Sequence, residues 1–327
     1  MNASSDLLPV PLVEAANLRT FFPVRGGVFH RVTDHVKAVH DVSVRINTGE
    51  VVSVVGESGC GKSTLGLSLL GLVQPTAGTL RLSSCDIDIH DPGAWKPYRK
   101  DFQIIFQDPY SSLNPRHTIF EILAEPLLVH KICERKTVRD EVASLLRQVG
   151  LEPEYMQRFP HAFSGGQRQR LGIARAIGLR PKLIVCDEVV ASLDVSIQAQ
   201  IIQLLLDLKR RLGLSLLFIS HDLSLVRVIS DRVDVMYLGK IVESAAARDL
   251  FGHPQHPYTQ ALLEAIPTLD RRRRPKPLQG EVPSPVNLPE GCVFSTRCPR
   301  VQARCRREVP ALSQSKGSRA ACFFPLD

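Results

Sequence analysis

Eight consecutive residues have the types and spacing that hold a polyphosphate. They follow the order G-x-x-x-x-G-K-S with Thr64 behind them, and comprise Gly56, Glu57, Ser58, Gly59, Cys60, Gly61, Lys62 and Ser63. Glycines let the backbone bend around phosphate oxygens, and the amides of a helix N-terminus point at them. The lysine reaches the β- and γ-phosphates, and the serine hydroxyl binds Mg²⁺. Because the apolar run 51–55 in front predicts a buried strand, we expect a nucleoside triphosphate site at a strand-to-helix junction.

Cys60 within this loop has two interpretations. A thiol near a helix N-terminus can be activated as a thiolate. It can also be a small residue that merely fits the loop, and we favour this second interpretation.

A second apolar run ends in two carboxylates, Asp187 and Glu188. It predicts a buried strand with both acids at its carboxyl end. Phosphoryl transfer relies on positioned charge and a water-orienting group, so Asp187 would hold Mg²⁺ through water and Glu188 would polarise the attacking water. An apolar strand that ends in acids is common, so the pair alone identifies no enzyme.

Residues 163–170 read Phe-Ser-Gly-Gly-Gln-Arg-Gln-Arg and precede an amphipathic helical pattern. Here the chain resembles the ABC ATPase family, in which Ser-Gly-Gly-Gln follows an apolar residue, usually Leu. The resemblance implies a second phosphate-binding helix N-terminus that faces the nucleotide of another subunit, formed by Ser164, Gly165, Gly166 and Gln167. The glycine amides and the helix dipole suit a γ-phosphate. The active site is therefore expected to be shared across a dimer.

Further residues match family elements in the expected order. The resemblance implies that Gln107 senses Mg²⁺ and the lytic water, and that His221 contacts the γ-phosphate. Residues 192–194, which end in Asp194, match the loop that communicates across the dimer. Phe22, with Phe21 as the other candidate, lies where the family stacks an aromatic ring on adenine. The implied catalytic set is Glu188, His221 and Gln107, and the implied Mg²⁺ ligands are Ser63, Gln107 and Asp187.

The 327 residues, 44% of them hydrophobic, allow one large α/β domain and a smaller appendage. The resemblance implies a P-loop NTPase core of the ABC type, with an antiparallel β subdomain at residues 11–56 and a helical subdomain at about 108–180. We place the nucleotide-binding domain at 1–255 and a C-terminal extension at 256–327. Helical patterns cover 119–129 and 138–149. The chain contains one phosphate loop, so a partner must supply the other half of the dimer.

Neither a membrane span nor a secretory signal is expected. The longest apolar runs are too short to cross a bilayer, and residues 1–20 lack a basic start. We expect a peripheral protein at the cytoplasmic face of the cell membrane. Residues 270–327 carry +7 of the chain's formal +8. Such a tail suits nucleic acid or anionic lipid; a solvated charge run is the commoner explanation, and no nucleic-acid partner is expected.

Four of the eight cysteines cluster in this tail: Cys292, Cys298, Cys305 and Cys322. A chain in the cytoplasm rarely keeps disulfides, so the cluster suggests a metal site, and four thiolates suit zinc or an iron–sulfur cluster. Together with the preceding His-Pro-Tyr-Thr at 256–259, it resembles the C-terminal extension of peptide-importer ATPases. That resemblance implies a structural [4Fe–4S] cluster in some members; zinc or no metal stay open.

The resemblance narrows to ATPases of dipeptide and oligopeptide importers, the peptide/nickel group, and to their second, heterodimer-forming type. Two details favour this type: residues 21–27 with the insertion at 23–36, and Val189-Val190 where many relatives have Pro-Thr. The implied function is ATP hydrolysis, with Mg²⁺, that powers peptide import. The implied partners are a second ATPase, two transmembrane permeases and an extracytoplasmic peptide-binding protein.

Other functions stay open at this point. A nickel or glutathione importer, or an exporter, would share every catalytic motif. An ABC ATPase acting on nucleic acid or ribosomes usually carries long insertions or tandem domains, which this chain lacks. A regulatory module with vestigial catalysis is opposed by the complete set of Lys62, Asp187, Glu188 and His221.

Overall fold

The computed structural model describes residues 11–26, 31–266, 278 and 280–326. It divides into two compact units. The first takes in the described parts of 1–95 and 219–327, and the second is 96–218. The four arginines at 271–274, which open the basic tail, lie outside the described residues, as does part of the predicted insertion at 23–36.

The strands and helices follow one another along the chain. The strands are β1 (Pro11–Gly26), β2 (Arg31–Asn47), β3 (Val51–Val55), β4 (Ala77–Leu82), β5 (Cys85–Ile87), β6 (Phe102–Ile105), β7 (Leu183–Asp187), β8 (Ser215–Ser220), β9 (Arg232–Tyr237), β10 (Lys240–Ala246), β11 (Ser313–Ser315) and β12 (Ser318–Ala320). The helices are α1 (Lys62–Leu69), α2 (Pro109–Ser112), α3 (Ile119–Val129), α4 (Val138–Gln148), α5 (Gly165–Gly178), α6 (Val195–Leu212), α7 (Leu223–Ile229), α8 (Ala247–Gly252), α9 (Pro257–Glu264) and α10 (Ala303–Arg307).

The first unit contains two strand ladders. One is antiparallel, in the order β2-β1-β4-β5, and confirms that an antiparallel subdomain exists. Its predicted range of 11–56 was wrong, because β4 and β5 also pair in this ladder and β3 pairs in the other. The other runs β11-β12-β10-β9-β3. In it β3 pairs with β9 in parallel, while β10 pairs antiparallel with β9 and β12. Every residue of β3 is buried, as the unbroken Val-rich sequence requires of a strand covered on both faces. The C-terminal segment thus adds strands to the sheet that carries the phosphate loop.

The second unit packs helices beside the parallel pair of β6 and β7. α3 begins with a capping box, in which Thr118 and Glu121 satisfy each other's backbone N–H groups. The observed α3 has the predicted bounds, and α4 ends one residue before the predicted 149. α6 is capped at its C-terminus by Gly213 in the left-handed conformation, and the basic residues in its last turn suit the helix dipole.

No helix within the described ranges is both long enough and apolar enough to cross a membrane.

Arg232 at the start of β9 forms a partly buried ion-pair cluster. Its guanidinium lies 3.1 Å from Glu50 and 2.7 Å from Asp234, and it also donates to the carbonyl oxygen of Arg45. The Asp234 side chain is only 2% exposed, so Arg232 rather than solvent supplies the counter-charge for its carboxylate. The ion pairs of Arg81 are instead exposed to solvent, since the side chains of its partners Glu14 and Asp86 are 42% and 87% exposed.

We expect Arg232→Met to lower the free energy of unfolding by about 3 kcal/mol, because a buried carboxylate loses its counter-charge. Arg81→Met is the matched control and should cost less than about 1 kcal/mol. Urea denaturation of both variants and the parent measures the difference. Equal losses for the two variants would contradict the account.

Candidate active site

The phosphate loop is shaped by close approach to two backbone carbonyl groups. A Cβ on Gly56 would lie 2.1 Å from the carbonyl oxygen of Met236, and one on Gly61 would lie 1.9 Å from that of Ala38. Gly61 is also the N-cap of α1 in a left-handed conformation (φ 105°), and none of the described side chains caps that helix end. The loop therefore requires glycine at both positions and leaves the first amides of α1 for phosphate oxygens.

Lys62 bends back over this loop. Its side chain is buried, and Nζ donates to the carbonyl oxygens of Gly56 (2.9 Å) and Glu57 (3.0 Å). These contacts keep the ammonium group at the loop, where a β- or γ-phosphate would be bound. The Cys60 thiol is buried beneath the loop, and burial raises its pKa although Lys62 opposes the change. A raised thiol pKa favours the interpretation of Cys60 as a small residue that fits the loop.

Two contacts to Glu57 had no counterpart in the sequence reasoning. The backbone N–H of Glu57 donates to the phenolic oxygen of Tyr258 (2.9 Å), and its carboxylate forms an ion pair with Arg297 (2.6 Å). Tyr258 lies in the His-Pro-Tyr-Thr stretch that carried the family resemblance. For Arg297 the sequence offers no signal besides its place directly before Cys298. Both contacts join residues more than 200 positions apart.

The predicted carboxylates lie in the second unit, where the predicted strand appears as β7. Asp187 is its last residue and is buried. Glu188 follows with φ 46°, a left-handed conformation that costs a non-glycine residue about 1–3 kcal/mol. Gln107 donates from Nε2 to Glu188 Oε2 at 3.0 Å. The structure therefore brings together Gln107, predicted to sense Mg²⁺ and the lytic water, and Glu188, predicted to polarise that water.

The Ser-Gly-Gly-Gln segment begins helix α5 in the same unit. Ser164 is its N-cap: its hydroxyl oxygen accepts the Gln167 N–H (3.3 Å), and the Gln167 side chain accepts the Ser164 N–H (3.1 Å). A Cβ on Gly166 would lie 2.6 Å from Cγ2 of Ile197, and one on Gly165 would lie 3.4 Å from Leu193. The helix start is thus packed against the segment that holds the predicted 192–194 loop.

Gln198 holds the loop at 192–194 in place. The sequence did not predict this role for Gln198. Its Nε2 donates to the carbonyl oxygens of Val190 (3.1 Å) and Leu193 (2.9 Å), on either side of Ser192. Asp194, the N-cap of α6, is exposed beside it. Val189 and Val190, which depart from the common Pro-Thr, are both buried. A glutamine in the first turns of a helix has no sequence signal, because its acceptors are set by the loop conformation.

The remaining predicted residues lie in the first unit. His221 directly follows β8 and is exposed. Phe22 lies on β1 opposite Val36 and is 40% exposed, whereas the ring of Phe21 makes an edge contact with His40 at 5.7 Å between centroids. This exposure favours Phe22 over Phe21 as the aromatic ring available to a base. The roles of both His221 and Phe22 stay predictions.

All four tail cysteines line one cavity, together with His256 and Phe294. None forms a disulfide. Burial raises the pKa of Cys292 to about 11 and also raises the pKa of Cys298 and Cys322. Among the residues that the structure describes, no group of three or more His, Cys, Asp or Glu is arranged to hold a single metal ion.

Comparison with known proteins identifies the family. Residues 39–191 match the model of the ABC transporter family, and residues 242–305 match that of the oligopeptide/dipeptide transporter C-terminal region. The chain is 47% identical to the oligopeptide transport ATP-binding protein AppF of Bacillus subtilis, over 96% of this chain and 97% of that protein. It is 47% identical to the dipeptide transport ATP-binding protein DppF of Escherichia coli, over 99% and 97%. The chain belongs to the ATP-binding subunits of oligopeptide/dipeptide ABC transporters.

Solved structures agree with this assignment. CbiO1 of Clostridium perfringens, part of an ABC transporter complex, is 26% identical with a TM-score of 0.64, over 74% of this chain and 91% of that chain. The ATP-binding cassette MJ0796, in a dimeric post-hydrolysis state bound to ADP and phosphate, is 27% identical with a TM-score of 0.63, over 72% and 99%. The predicted ABC ATPase fold is confirmed, and the subunit is an ATP-hydrolysing enzyme that uses ATP and Mg²⁺.

Two glycines of α5 provide a test of the packing in this ABC ATPase. Gly166→Ala should reduce ATP hydrolysis at least tenfold, because the added methyl group overlaps Ile197 and displaces the helix start, and overpacking costs about 1–3 kcal/mol. Gly172→Ala is the control, since a Cβ there meets nothing within 4 Å. Hydrolysis is measured with the assembled transporter. Recovery of activity in Gly166→Ala/Ile197→Ala would support the overlap, and no recovery would contradict it.

Proposed function

We propose that the protein powers the import of dipeptides or oligopeptides. The observation that carries this proposal is the match of residues 242–305 to the oligopeptide/dipeptide transporter C-terminal region, because this segment separates the group from other ABC ATPases. The relatives named oligopeptide or dipeptide transport ATP-binding proteins support it over nearly their full length.

In the proposed cycle, ATP is bound by residues 56–64 with Lys62 on the β- and γ-phosphates, and Phe22 stacks on adenine. Ser63, Gln107 and Asp187 would hold Mg²⁺, which neutralises charge on the phosphates. Glu188, oriented by its contact with Gln107, polarises the attacking water, and His221 contacts the γ-phosphate. The Ser164–Gln167 helix start serves the nucleotide of the partner ATPase.

The proposed assembly contains a second, different ATPase subunit, two permeases and an extracytoplasmic peptide-binding protein. The dimeric state of the similar cassette MJ0796 supports a dimer of ATPase subunits here. Closing and reopening of that dimer would drive alternating access in the permeases, from the cytoplasmic face of the membrane. The proposed helical subdomain at about 108–180 would transmit the motion. The domain limits 1–255 and 256–327 stay part of this proposal.

We also propose that Cys292, Cys298, Cys305 and Cys322 hold a [4Fe–4S] cluster. What supports this proposal is that four thiols without a disulfide line one cavity, because four cysteine thiolates are the usual ligands of such a cluster. Its role would be structural, because it would fasten residues spread over the last part of the chain.

A related cargo is the second candidate. The chain is 50% identical to the glutathione import ATP-binding protein GsiA of Pectobacterium atrosepticum, over 87% of this chain and 47% of that protein. Glutathione is itself a tripeptide, so the same ATPase would serve with other permease and binding-protein subunits.

Glu188→Gln should trap an ATP-bound closed dimer and lower hydrolysis about a hundredfold or more, because the water-polarising carboxylate is lost. The partner site must carry the corresponding substitution, so that its turnover is silent. Hydrolysis by the purified complex is the measurement. Substantial turnover at sites with this variant would exclude Glu188 as the base.

The same variant identifies the cargo. We expect ATP-dependent capture from native membranes to recover two multi-spanning permeases, a second ATPase and a solute-binding protein. Mass spectrometry of the ligand on that binding protein distinguishes peptides from glutathione or nickel. A capture without ATP is the control. Recovery of ribosomes or DNA-processing proteins would overturn the transport proposal.

Anaerobic purification should yield about four irons and four sulfides per chain, the content of the proposed cluster. Cys298→Ser should lose most of the iron and lower the melting temperature. Cys85→Ser, which changes an exposed cysteine elsewhere in the first unit, is the control. One zinc per chain, or no metal in the parent, would refute the cluster.

A further inference from the structure

We infer that Arg297, in the C-terminal segment, is a positioning residue of the ATP site: it holds the carboxylate of Glu57 and neutralises its charge within the phosphate loop. This inference does not depend on the cargo or on the cysteine cluster. It extends the nucleotide site beyond the motifs that ABC ATPases share.

The ion pair between the two residues is bidentate. Arg297 Nη1 lies 2.6 Å from Glu57 Oε2, and Nη2 lies 3.1 Å from Oε1. The Arg297 side chain is 4% exposed and that of Glu57 is 27% exposed. Two parallel charge-assisted hydrogen bonds fix both the position and the orientation of the carboxylate. The Glu57 carboxylate, as hydrogen-bond partner, in turn raises the pKa of Arg297 above its usual value.

Aromatic packing holds the guanidinium in place. Arg297 Nη1 donates to the Tyr237 hydroxyl at 3.5 Å. The backbone N–H of Arg297 donates to the carbonyl oxygen of Phe294 at 3.0 Å. The rings of Tyr237, Tyr258 and Phe294 pack together with centroids 4.7–5.3 Å apart. Tyr258 also accepts the backbone N–H of Glu57. The C-terminal segment therefore contacts Glu57 at its backbone and at its carboxylate.

Charge explains why these contacts matter for ATP. Glu57 is the one carboxylate among the eight residues of the phosphate loop, and it would repel a triphosphate bound there. A counter-charge 2.6 Å away removes most of that repulsion. Without Arg297 no counter-charge would pair with the carboxylate, and the loop would oppose its ligand. The penalty should grow with the number of phosphate charges.

The test uses the purified full-length chain and equilibrium binding of three ligands: the non-hydrolysable analogue adenylyl imidodiphosphate, ADP and adenosine. In Arg297→Met we expect the Kd of the triphosphate analogue to rise about tenfold, that of ADP about threefold, and that of adenosine less than twofold. Glu57→Gln/Arg297→Met should return the triphosphate Kd to within about twofold of the parent, because the unpaired charge is gone.

Arg304→Met is the matched control, since Arg304 lies in the same segment but pairs with the exposed Glu308. It should leave all three affinities unchanged. The inference would be overturned if Arg297→Met weakened the affinity for all three ligands equally, or if the double variant did not recover the affinity for the triphosphate analogue. Arg297 would then have only a structural role.

If Arg297→Met does not fold, the affinity of Glu57→Gln for the triphosphate analogue provides the test. Neutral glutamine still accepts a hydrogen bond from Arg297, so the triphosphate analogue should bind as tightly as to the parent or more tightly. A tenfold weaker affinity in Glu57→Gln would contradict the charge-balance argument. Because only nucleotide binding is measured, failure here leaves the transport proposal untouched.

Discussion

The organisation of this protein depends on how closely its phosphate loop passes two backbone carbonyl groups. Gly56 lies against Met236 of β9, and Gly61 lies against Ala38 of β2, at distances that leave no room for a side chain. The loop therefore lies between β9 of one strand ladder and β2 of the other, both in the first unit. Backbone groups are rigid neighbours, so this contact presets the loop conformation before nucleotide is bound and limits the ordering that binding requires.

The second unit uses the same kind of constraint. The start of α5 lies against Ile197 because Gly166 has no side chain, and Gln198 holds the adjoining loop by its carbonyl groups. Glu188 reaches Gln107 from a left-handed backbone conformation. Strain of this kind persists only where surrounding packing over-determines it, and the buried β7 together with the buried Val189 and Val190 supplies that packing.

The C-terminal segment is more closely integrated than an appended module. β12 pairs with β10 through Glu243 and Ala320, and the cysteine cavity includes His256 at the start of α9. Arg297 then links the same segment to the phosphate loop. The residues around the cysteine cavity therefore belong to the same segment as the contacts to the phosphate loop.

By itself the sequence predicted a phosphate loop between a buried strand and a helix, the bounds of α3 and nearly those of α4, because these follow from local spacing and hydrophobic runs. The ABC ATPase fold followed from the resemblance of its motifs to that family. Gly56 to Ser63 and Asp187–Glu188 are contiguous motifs, and α3 follows from the helical pattern over 119–129. Only the tertiary structure decided the contacts of Tyr258 and Arg297 with Glu57, the support from Gln198 and the gathering of four cysteines around one cavity. The contacts to Glu57 join residues more than 200 positions apart, and the acceptors of Gln198 are carbonyl groups placed by the loop conformation, so no local pattern encodes either set of partners.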